Sequence, residues 1–256
     1  MMVRHRGLDW LAQRRGLKRW RHAARDSGDM DLNALRAERA EARRLQHHLN
    51  EFICKADDRL TRPMIGSNAF SKPHGTDWAW RPQIWHERLS VPGHSSVESR
   101  TKLGKELTLF HDCERSELTL RQLRNTREVD LSPFGLRMDV FAFDGSFLSL
   151  VLDLPDSAVS GLKKNHLIRM NTIIELEKPL EVFVRLNVKH GPNTEQLVRE
   201  LPLHEEDRMV EFDLAYTRLN EKRIERSWVD IILENPQMSQ VILRDLTFGR
   251  RPRAEF

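Results

Sequence analysis

The segment 180-LEVFVRLNV-188 alternates apolar and polar residues over nine consecutive positions. One face of the segment carries Leu180, Val182, Val184, Leu186 and Val188, and the other carries Glu181, Phe183, Arg185 and Asn187. Successive side chains of a β-strand point to opposite sides of the sheet, so this spacing is typical of an antiparallel sheet with one buried face. The segment therefore predicts a strand, and it constrains the fold of the whole second half of the chain.

Similar β-rich segments follow one another through that half. They are 106–110, 118–123, 136–155, 167–176, 195–201, 209–216, 227–233 and 240–248. Within 136–155, the Asp144-Gly145 pair predicts a β-hairpin turn. No strand–helix–strand alternation is visible, which argues against a doubly wound nucleotide-binding fold. We predict a mainly β domain over 97–256, an antiparallel two-sheet β-sandwich (jelly roll) preceded by N-terminal helices.

The first 28 residues predict a basic amphipathic arm. Residues 1–25 contain eight Arg or Lys against one acid, Asp9. The cations that define the basic face of a helix over 8–25 are Arg14, Arg15, Lys18, Arg19, Arg21 and Arg25. Such a face contacts an anionic membrane or nucleic acid through phosphates, or it is simply a solvated arm; both interpretations stay open.

Residues 29–60 predict a helix that starts near Asp31, a suitable N-cap residue. Its apolar stripe consists of Leu35, Ala42, Leu45, Leu49, Phe52 and Ala56. The stripe has the spacing of one helix face, and we expect it to be buried on the body of the protein or on a partner. Three heptads are too few to predict a coiled coil with assurance.

Residues 61–96 are rich in proline and tryptophan and predict an ordered connector, packed on the body but without a helix or strand pattern. Trp78, Trp80 and Trp85 lie within eight residues of one another. Three indole rings so close together form either a platform for a ligand or anchors that hold the connector on the core. We favour the anchors, because Pro82 turns the chain between the second and the third ring.

The chain offers few groups for catalysis or for metal binding. Cys54 and Cys113 form no C-x-x-C pair, so we predict no zinc site, and two free thiols are a simpler expectation than a 54–113 bridge. In His111-Asp112-Cys113-Glu114, an imidazole and a thiol lie close together, but a turn after a strand explains the segment more simply than a catalytic dyad. Phosphate-binding glycine motifs are absent. We therefore predict no catalytic residues, no metal and no cofactor.

No stretch of the sequence is apolar enough to span a bilayer. Arg14-Arg15 is followed by Arg19-Trp20-Arg21-His22, where an export signal requires an apolar segment. The expected location is therefore the cytoplasm, either free or at the periphery of the membrane.

The polar face of 180–188 is the strongest candidate for a binding site. Phe183, Arg185 and Asn187 combine an aromatic ring, a guanidinium and an amide, a set that suits the C–H groups and hydroxyls of a saccharide. The complete candidate site is Trp78, Trp80, Phe183, Arg185, Asn187, His190 and Asp230. The alternative is that the N-terminal helix covers this face, with Phe183 supplying the apolar contact and Arg185 pairing with an acid such as Asp230.

Several segments carry a resemblance to a known family. They are TRPMIGSNAFSKPHGTDWAWRP, LTLFHDC, SELTLRQLRN, PFGLRMDVFAFDGSFLSL, RLNVKHGPNTEQ and VILRDLTFGRRPRAEF. Together, over residues 30–256, they resemble an uncharacterised family of alphaproteobacterial proteins, a domain of unknown function. The strands of 136–248 are in addition loosely similar to carbohydrate-binding jelly rolls.

Two functional hypotheses follow from these features. The first is a non-catalytic binding protein whose most specific ligand is a saccharide or glycoconjugate. The second is an assembly or peripheral membrane protein attached through residues 1–25.

Overall fold

The computed structural model describes residues 6–64, 70, 72–127, 130–203 and 208–253. For 6–13, 50–51 and 53–64 it describes the backbone alone. The chain divides into two compact units, Met1–Ala56 and Asp57–Phe256. Within the described residues, no helix is both long and apolar enough to cross a membrane.

The first unit contains two helices, α1 (Arg6–Asp26) and the start of α2 (Leu32–Met64). The carboxylate of Asp31 accepts hydrogen bonds from the backbone N–H groups of Asn33 (2.9 Å) and Ala34 (3.3 Å), so the predicted N-cap is confirmed. Leu45, Leu49 and Phe52 of the apolar stripe are exposed within this unit, and burial of the stripe on the body or on a partner stays a prediction.

The second unit contains the remaining elements. They are β1 (Trp78–Trp80), α3 (Gln83–His86), β2 (Gly93–Ser95), β3 (Thr101–Leu103), β4 (Leu107–His111), β5 (Leu118–Arg124), β6 (Phe134–Val140), β7 (Leu148–Asp153), α4 (Asp156–Val159), β8 (His166–Leu176), β9 (Val182–His190), β10 (Asn193–Glu200), β11 (Met209–Asp213), β12 (Ile224–Leu233) and β13 (Ser239–Pro252). Short 3-10 turns at Leu214–Tyr216 and Glu221–Arg223 join β11 to β12.

These strands form two antiparallel sheets. The seven-stranded sheet has the order β11-β8-β13-β6-β5-β2, and β1 pairs with β13 beside this path. The six-stranded sheet has the order β10-β9-β12-β7-β4-β3. The predicted fold class, a mainly β two-sheet jelly roll preceded by helices, is confirmed.

The core lies between the two sheets and follows the predicted alternation. Val182, Val184, Leu186 and Val188 of β9 are fully buried, whereas Phe183 and Arg185 are only half-buried. The same period places Val229, Ile231 and Leu233 of β12 in the core. Because both strands bury alternate residues, each turns its remaining side chains to the outer face of the six-stranded sheet.

The hairpin predicted at Asp144-Gly145 is wrong. β6 pairs with β5 and β13, while β7 pairs with β4 and β12, so the turn carries the chain from one sheet to the other. The Asp112 carboxylate holds this turn, since it accepts hydrogen bonds from Ser146 N at 2.7 Å and Phe147 N at 3.2 Å. A Cβ on Gly145 would lie 2.5 Å from Asp112 Oδ1, so the glycine is required by this close approach.

The segment 61–96 also differs from the prediction of a connector without helix or strand. It contains the end of α2, the strands β1 and β2, and α3. β1 pairs with residues 248–250 of β13, and β2 pairs with 119–121 of β5. The sandwich therefore recruits both strands from residues that precede position 97.

Candidate functional site

The outer face of the six-stranded sheet brings together residues from five strands. In the antiparallel register, Val198 of β10 lies opposite Arg185 of β9, which lies opposite Asp230 of β12. Asp230 in turn lies opposite Val151 of β7, and Val151 lies opposite Thr108 of β4. Opposed residues of an antiparallel pair share one face, so these side chains form a row across the sheet. Arg185 and Asp230 lie at its centre.

A groove of about 380 Å³ runs along this row. We call it the aromatic groove, and it is lined by Phe110, Phe147, Ser149, Val151, Arg185, Trp228, Asp230 and Ile232. The Arg226 guanidinium lies over the ring of Trp228, 4.9 Å from its centroid, and thereby restrains the indole. Large apolar walls around one charged pair are the usual composition of a small-ligand site.

A hydrogen-bond network fixes the charged pair. Asp230 Oδ2 accepts from Arg185 Nε at 2.7 Å and Nη2 at 2.6 Å, and from Asn187 Nδ2 at 3.1 Å. Asn187 Oδ1 in turn accepts from Gln196 Nε2 at 3.0 Å. The Asp230 side chain is 3% exposed and that of Arg185 is 38% exposed. The predicted pairing of Arg185 with Asp230 is thus present, and the guanidinium still reaches solvent.

The Ser149 hydroxyl of the aromatic groove keeps unused bonding capacity. Ser149 is 6% exposed, and its hydroxyl has no hydrogen-bond partner among the described residues. Buried polar groups are normally hydrogen-bonded, so this hydroxyl marks a position where a ligand's hydroxyl gains a partner.

The structure separates the residues of the predicted site. Phe183, Arg185, Asn187 and Asp230 share the outer face of β9 and β12. Asn187 is 1% exposed, so it positions Asp230 but offers no surface to a ligand. His190 is wrong as a rim residue, because the two-residue period places it on the same face as Val188, where it is 4% exposed.

Trp78 and Trp80 lie on the other sheet, where β1 pairs with β13. The Trp80 ring stacks on the fully buried Phe248 with centroids 5.8 Å apart, and the Trp78 N–H donates to Ser157 Oγ at 3.0 Å. Trp85 is fully buried, and its N–H donates to Leu243 O at 3.0 Å. The predicted grouping of Trp78 and Trp80 with Arg185 is therefore wrong, since each belongs to a different sheet.

Sequence reasoning missed Trp228, Phe110, Phe147 and Ser149 as site residues. The signal for Trp228 was present, because Trp228, Asp230 and Ile232 alternate with the buried Val229 and Ile231. Phe110 and Ser149 reach the same place only through the register of β4, β7 and β12. That register is a non-local property that no single segment contains.

The imidazole and thiol of His111 and Cys113 do not form an activated pair. His111 Nε2 bonds to Val97 O at 2.8 Å, and its Nδ1 accepts from the backbone N–H of Cys113 at 3.2 Å. Burial raises the pKa of the free Cys113 thiol, whereas a nucleophilic thiol needs a lowered pKa. The side chain of Cys54 lies outside the described residues. No group of acids, histidines or cysteines suited to a metal occurs within the described part of the chain.

The predicted basic face of α1 is exposed at Arg14, Arg15, Lys18, Arg21 and Arg25. The exposed Arg19 guanidinium donates to Glu41 Oε2 at 2.6 Å and to Glu38 Oε2 at 3.1 Å. This predicted cation is thus paired with two carboxylates of α2.

A protein-family model described as a family of unknown function, DUF6478, matches residues 1–256. The chain belongs to DUF6478. The resemblance to a domain of unknown function is therefore confirmed over the whole DUF6478 chain. A comparison with curated proteins found no match for it.

Solved structures similar to the DUF6478 chain include carbohydrate-binding modules. The family 11 module of Clostridium thermocellum has 11% identity and a TM-score of 0.36, and the match covers 65% of this chain and 100% of the module. The CBM22-1 xylan-binding domain of Paenibacillus barcinonensis Xyn10C has 12% identity and a TM-score of 0.35, with 64% and 94% covered.

Tailspike protein 4 of bacteriophage CBA120 has 6% identity and a TM-score of 0.39, and the match covers 56% of this chain but 19% of the tailspike chain. At these identities and TM-scores, the three likenesses assign no function to the DUF6478 chain.

Proposed function

We propose that the sandwich is a non-catalytic binding module that holds a saccharide in the aromatic groove. The observation that carries the proposal is the juxtaposition of the Arg185–Asp230 pair, the unpartnered Ser149 hydroxyl and the Trp228 ring in one groove. Aromatic rings stack on the C–H faces of sugars, while guanidinium, carboxylate and hydroxyl groups bond to sugar hydroxyls.

The charge of the aromatic groove selects among saccharides. Arg185 is neutralised by Asp230 at 2.6 Å, and among the described residues that line the aromatic groove only these two are charged. A neutral saccharide gains hydrogen bonds from this pair, whereas an acidic one meets a guanidinium that is already compensated. The proposed ligand is therefore a neutral glycan.

A glycan array followed by affinity measurements tests this function. We expect binding to neutral oligosaccharides and a loss of at least about tenfold in affinity for Trp228→Ala, because the ring is the largest apolar contact in the aromatic groove. Arg199→Ala is the matched control, since it removes an exposed guanidinium from the neighbouring strand β10 without touching the groove. An array without neutral-glycan binding, or equal affinities for Trp228→Ala and the wild type, contradicts the proposal.

A second candidate function is attachment to an anionic lipid surface through α1. It is favoured by the exposure of Lys18, Arg21 and Arg25 along the helix. Each cation near an anionic membrane contributes about 1 kcal/mol, and the attraction is screened by salt. This function agrees with the predicted cytoplasmic, membrane-peripheral location.

Replacing Lys18, Arg21 and Arg25 together by Gln should weaken binding to phosphatidylserine vesicles by about 100-fold. Arg19→Gln is the comparison variant and should weaken binding far less, because it removes one positive charge where the triple variant removes three. Co-sedimentation at low and high salt measures both variants. Equal effects of the two variants contradict the lipid role, and retention on DNA but not on vesicles assigns the helix to nucleic acid.

A further inference from the structure

A second groove lies on the outer face of the seven-stranded sheet and shares no residue with the aromatic groove. Its volume is about 900 Å³. We call it the arginine groove, and the residues that matter are Arg121, Arg137, Asp139, Phe141, Met238 and Gln240. They come from β5, β6, β13 and the segments beside them.

Two arginines face each other on this surface. Arg121 of β5 lies directly opposite Arg137 of β6 in the antiparallel register. Like charges at directly opposed positions destabilise a sheet unless something compensates them. A negative charge in the arginine groove would therefore stabilise the two opposed guanidinium groups.

The protein compensates Arg137 but not Arg121. Asp139 Oδ1 accepts from Arg137 Nη2 at 2.7 Å and from Nε at 2.9 Å, and Asp139 also accepts from Thr119 Oγ1 and Gln240 Nε2. These bonds, that from Arg137 foremost, lower the pKa of Asp139 and keep it ionised at neutral pH. Asp139 is thus fully engaged with its own partners.

The Arg121 guanidinium is exposed and has no ion pair or hydrogen bond among the described residues. The backbone of Glu177, the other acid of the arginine groove, donates to Gln240 O of β13. It therefore lies three strand spacings from the backbone of β5, about 14 Å away, and the Glu177 charge acts on Arg137. On the other side, Gly93 of β2 opposes Arg121, and a Cβ there would come 2.7 Å from Arg121 Cβ. The missing side chain at position 93 leaves the guanidinium open to the groove.

The rim of the arginine groove is apolar. Phe141 is 50% exposed and Met238 is 66% exposed. Met238 has a positive φ of 50°, and its N–H donates to Phe141 O at 2.9 Å, which ties the two rim residues together. The groove thus joins an open guanidinium to an exposed apolar rim.

We propose that the arginine groove is a second ligand site, which binds a small carboxylic acid. The carboxylate of the ligand accepts bidentate hydrogen bonds from the Arg121 guanidinium. The planar guanidinium fork matches a carboxylate in geometry and charge. Phe141 and Met238 contact the body of the ligand. A uronic acid sugar and an aromatic acid both supply this carboxylate, and they differ in whether the body is hydroxylated or apolar.

Titration of the full chain with glucuronate, benzoate and inorganic phosphate, followed by NMR of the backbone amides, tests the site. We expect at least one carboxylate to shift the amides of β5 and β6, with about a tenfold loss of affinity in Arg121→Gln and a smaller loss in Arg121→Lys, which keeps the charge but not the fork. Arg124→Gln is the matched control, because it removes an exposed arginine from the same strand outside the groove.

The stronger ligand identifies the body of the acid: preference for glucuronate indicates an acidic sugar, and preference for benzoate indicates an aromatic acid. If the amides of β5 and β6 shift but neither glucuronate nor benzoate binds more strongly than phosphate, the assignment of a carboxylate ligand is overturned. Equal affinities of Arg121→Gln and Arg124→Gln, or the absence of any shift in β5 and β6, overturn the site itself. Trp228→Ala should leave this binding unchanged, because the aromatic groove is on the other sheet.

Discussion

Arg81→Ala is expected to lower the free energy of unfolding of the sandwich by about 3–5 kcal/mol, the cost of leaving a buried charge without its partner. Arg81 Nε and Nη2 donate to the two carboxylate oxygens of Asp245 at 2.9 and 2.8 Å, and the side chains are 2% and 9% exposed. The pair ties the segment after β1 to β13, so its loss affects a contact between residues 164 positions apart. Urea denaturation of the variant and the wild type measures the difference.

The double variant Arg81→Met with Asp245→Leu is the control. It removes both charges, and we expect it to be more stable than Arg81→Ala, because no unpaired charge remains. A double variant that is as unstable as Arg81→Ala contradicts this account of the pair.

The effect of Arg81→Ala should also depend on pH. Burial raises the pKa of Asp245, and the hydrogen bonds and charge of Arg81 oppose that rise. Without Arg81, the pKa of Asp245 in the folded variant lies further above the pKa of the same group in the unfolded chain. Asp245 therefore binds a proton more readily in the folded variant than in the unfolded chain. Its stability is then highest below the unfolded pKa and falls as the pH rises through the folded pKa. The free energy of unfolding that Arg81→Ala loses relative to the wild type should therefore be smaller near pH 4 than at pH 7. A simple loss of packing would be the same at both pH values.

Trp85→Ala should be as damaging, with an expected loss of about 3–5 kcal/mol. The ring is fully buried in the core, and its N–H donates to Leu243 O, which the substitution leaves without that donor. The same urea denaturation gives the value. Because Trp85 belongs to the segment 61–96, a large loss shows that this segment is part of the folded core.

Two further variants calibrate that result. Trp85→Phe retains most of the apolar volume and should lower the free energy of unfolding less than Trp85→Ala does. Trp78→Ala should lower it least of the three, because Trp78 is only partly buried. A Trp85→Ala protein as stable as the wild type would show that the segment does not anchor on the core.

The strands were predictable where the buried face repeats locally. β9 is the example, because Val182, Val184, Leu186 and Val188 reveal its inner face without reference to any other part of the chain. The pairing of strands was not predictable in this way. Asp144-Gly145 has the composition of a hairpin turn, yet the Asp112 carboxylate from a distant strand holds it as a passage between sheets.

The candidate site was predictable in part for the same reason. Arg185 and Asp230 followed from alternation within β9 and β12, and their pairing is present. Trp78 and Trp80 were misplaced, because β1 is only three residues long and its position depends on residues 248–250 of β13. Phe110 and Ser149 enter the aromatic groove through cross-strand register alone.

The most direct test of the saccharide site uses the indole N–H signals of the six tryptophans as reporters. Isotope-labelled protein is titrated with the neutral oligosaccharide that binds most strongly, and the signals are assigned with Trp228→Phe, Trp78→Phe and Trp80→Phe. We predict that the Trp228 signal shifts with saturation, while those of Trp78 and Trp80, on the other sheet, stay in place. Shifts of Trp78 and Trp80 with an unchanged Trp228 would contradict a saccharide site in the aromatic groove.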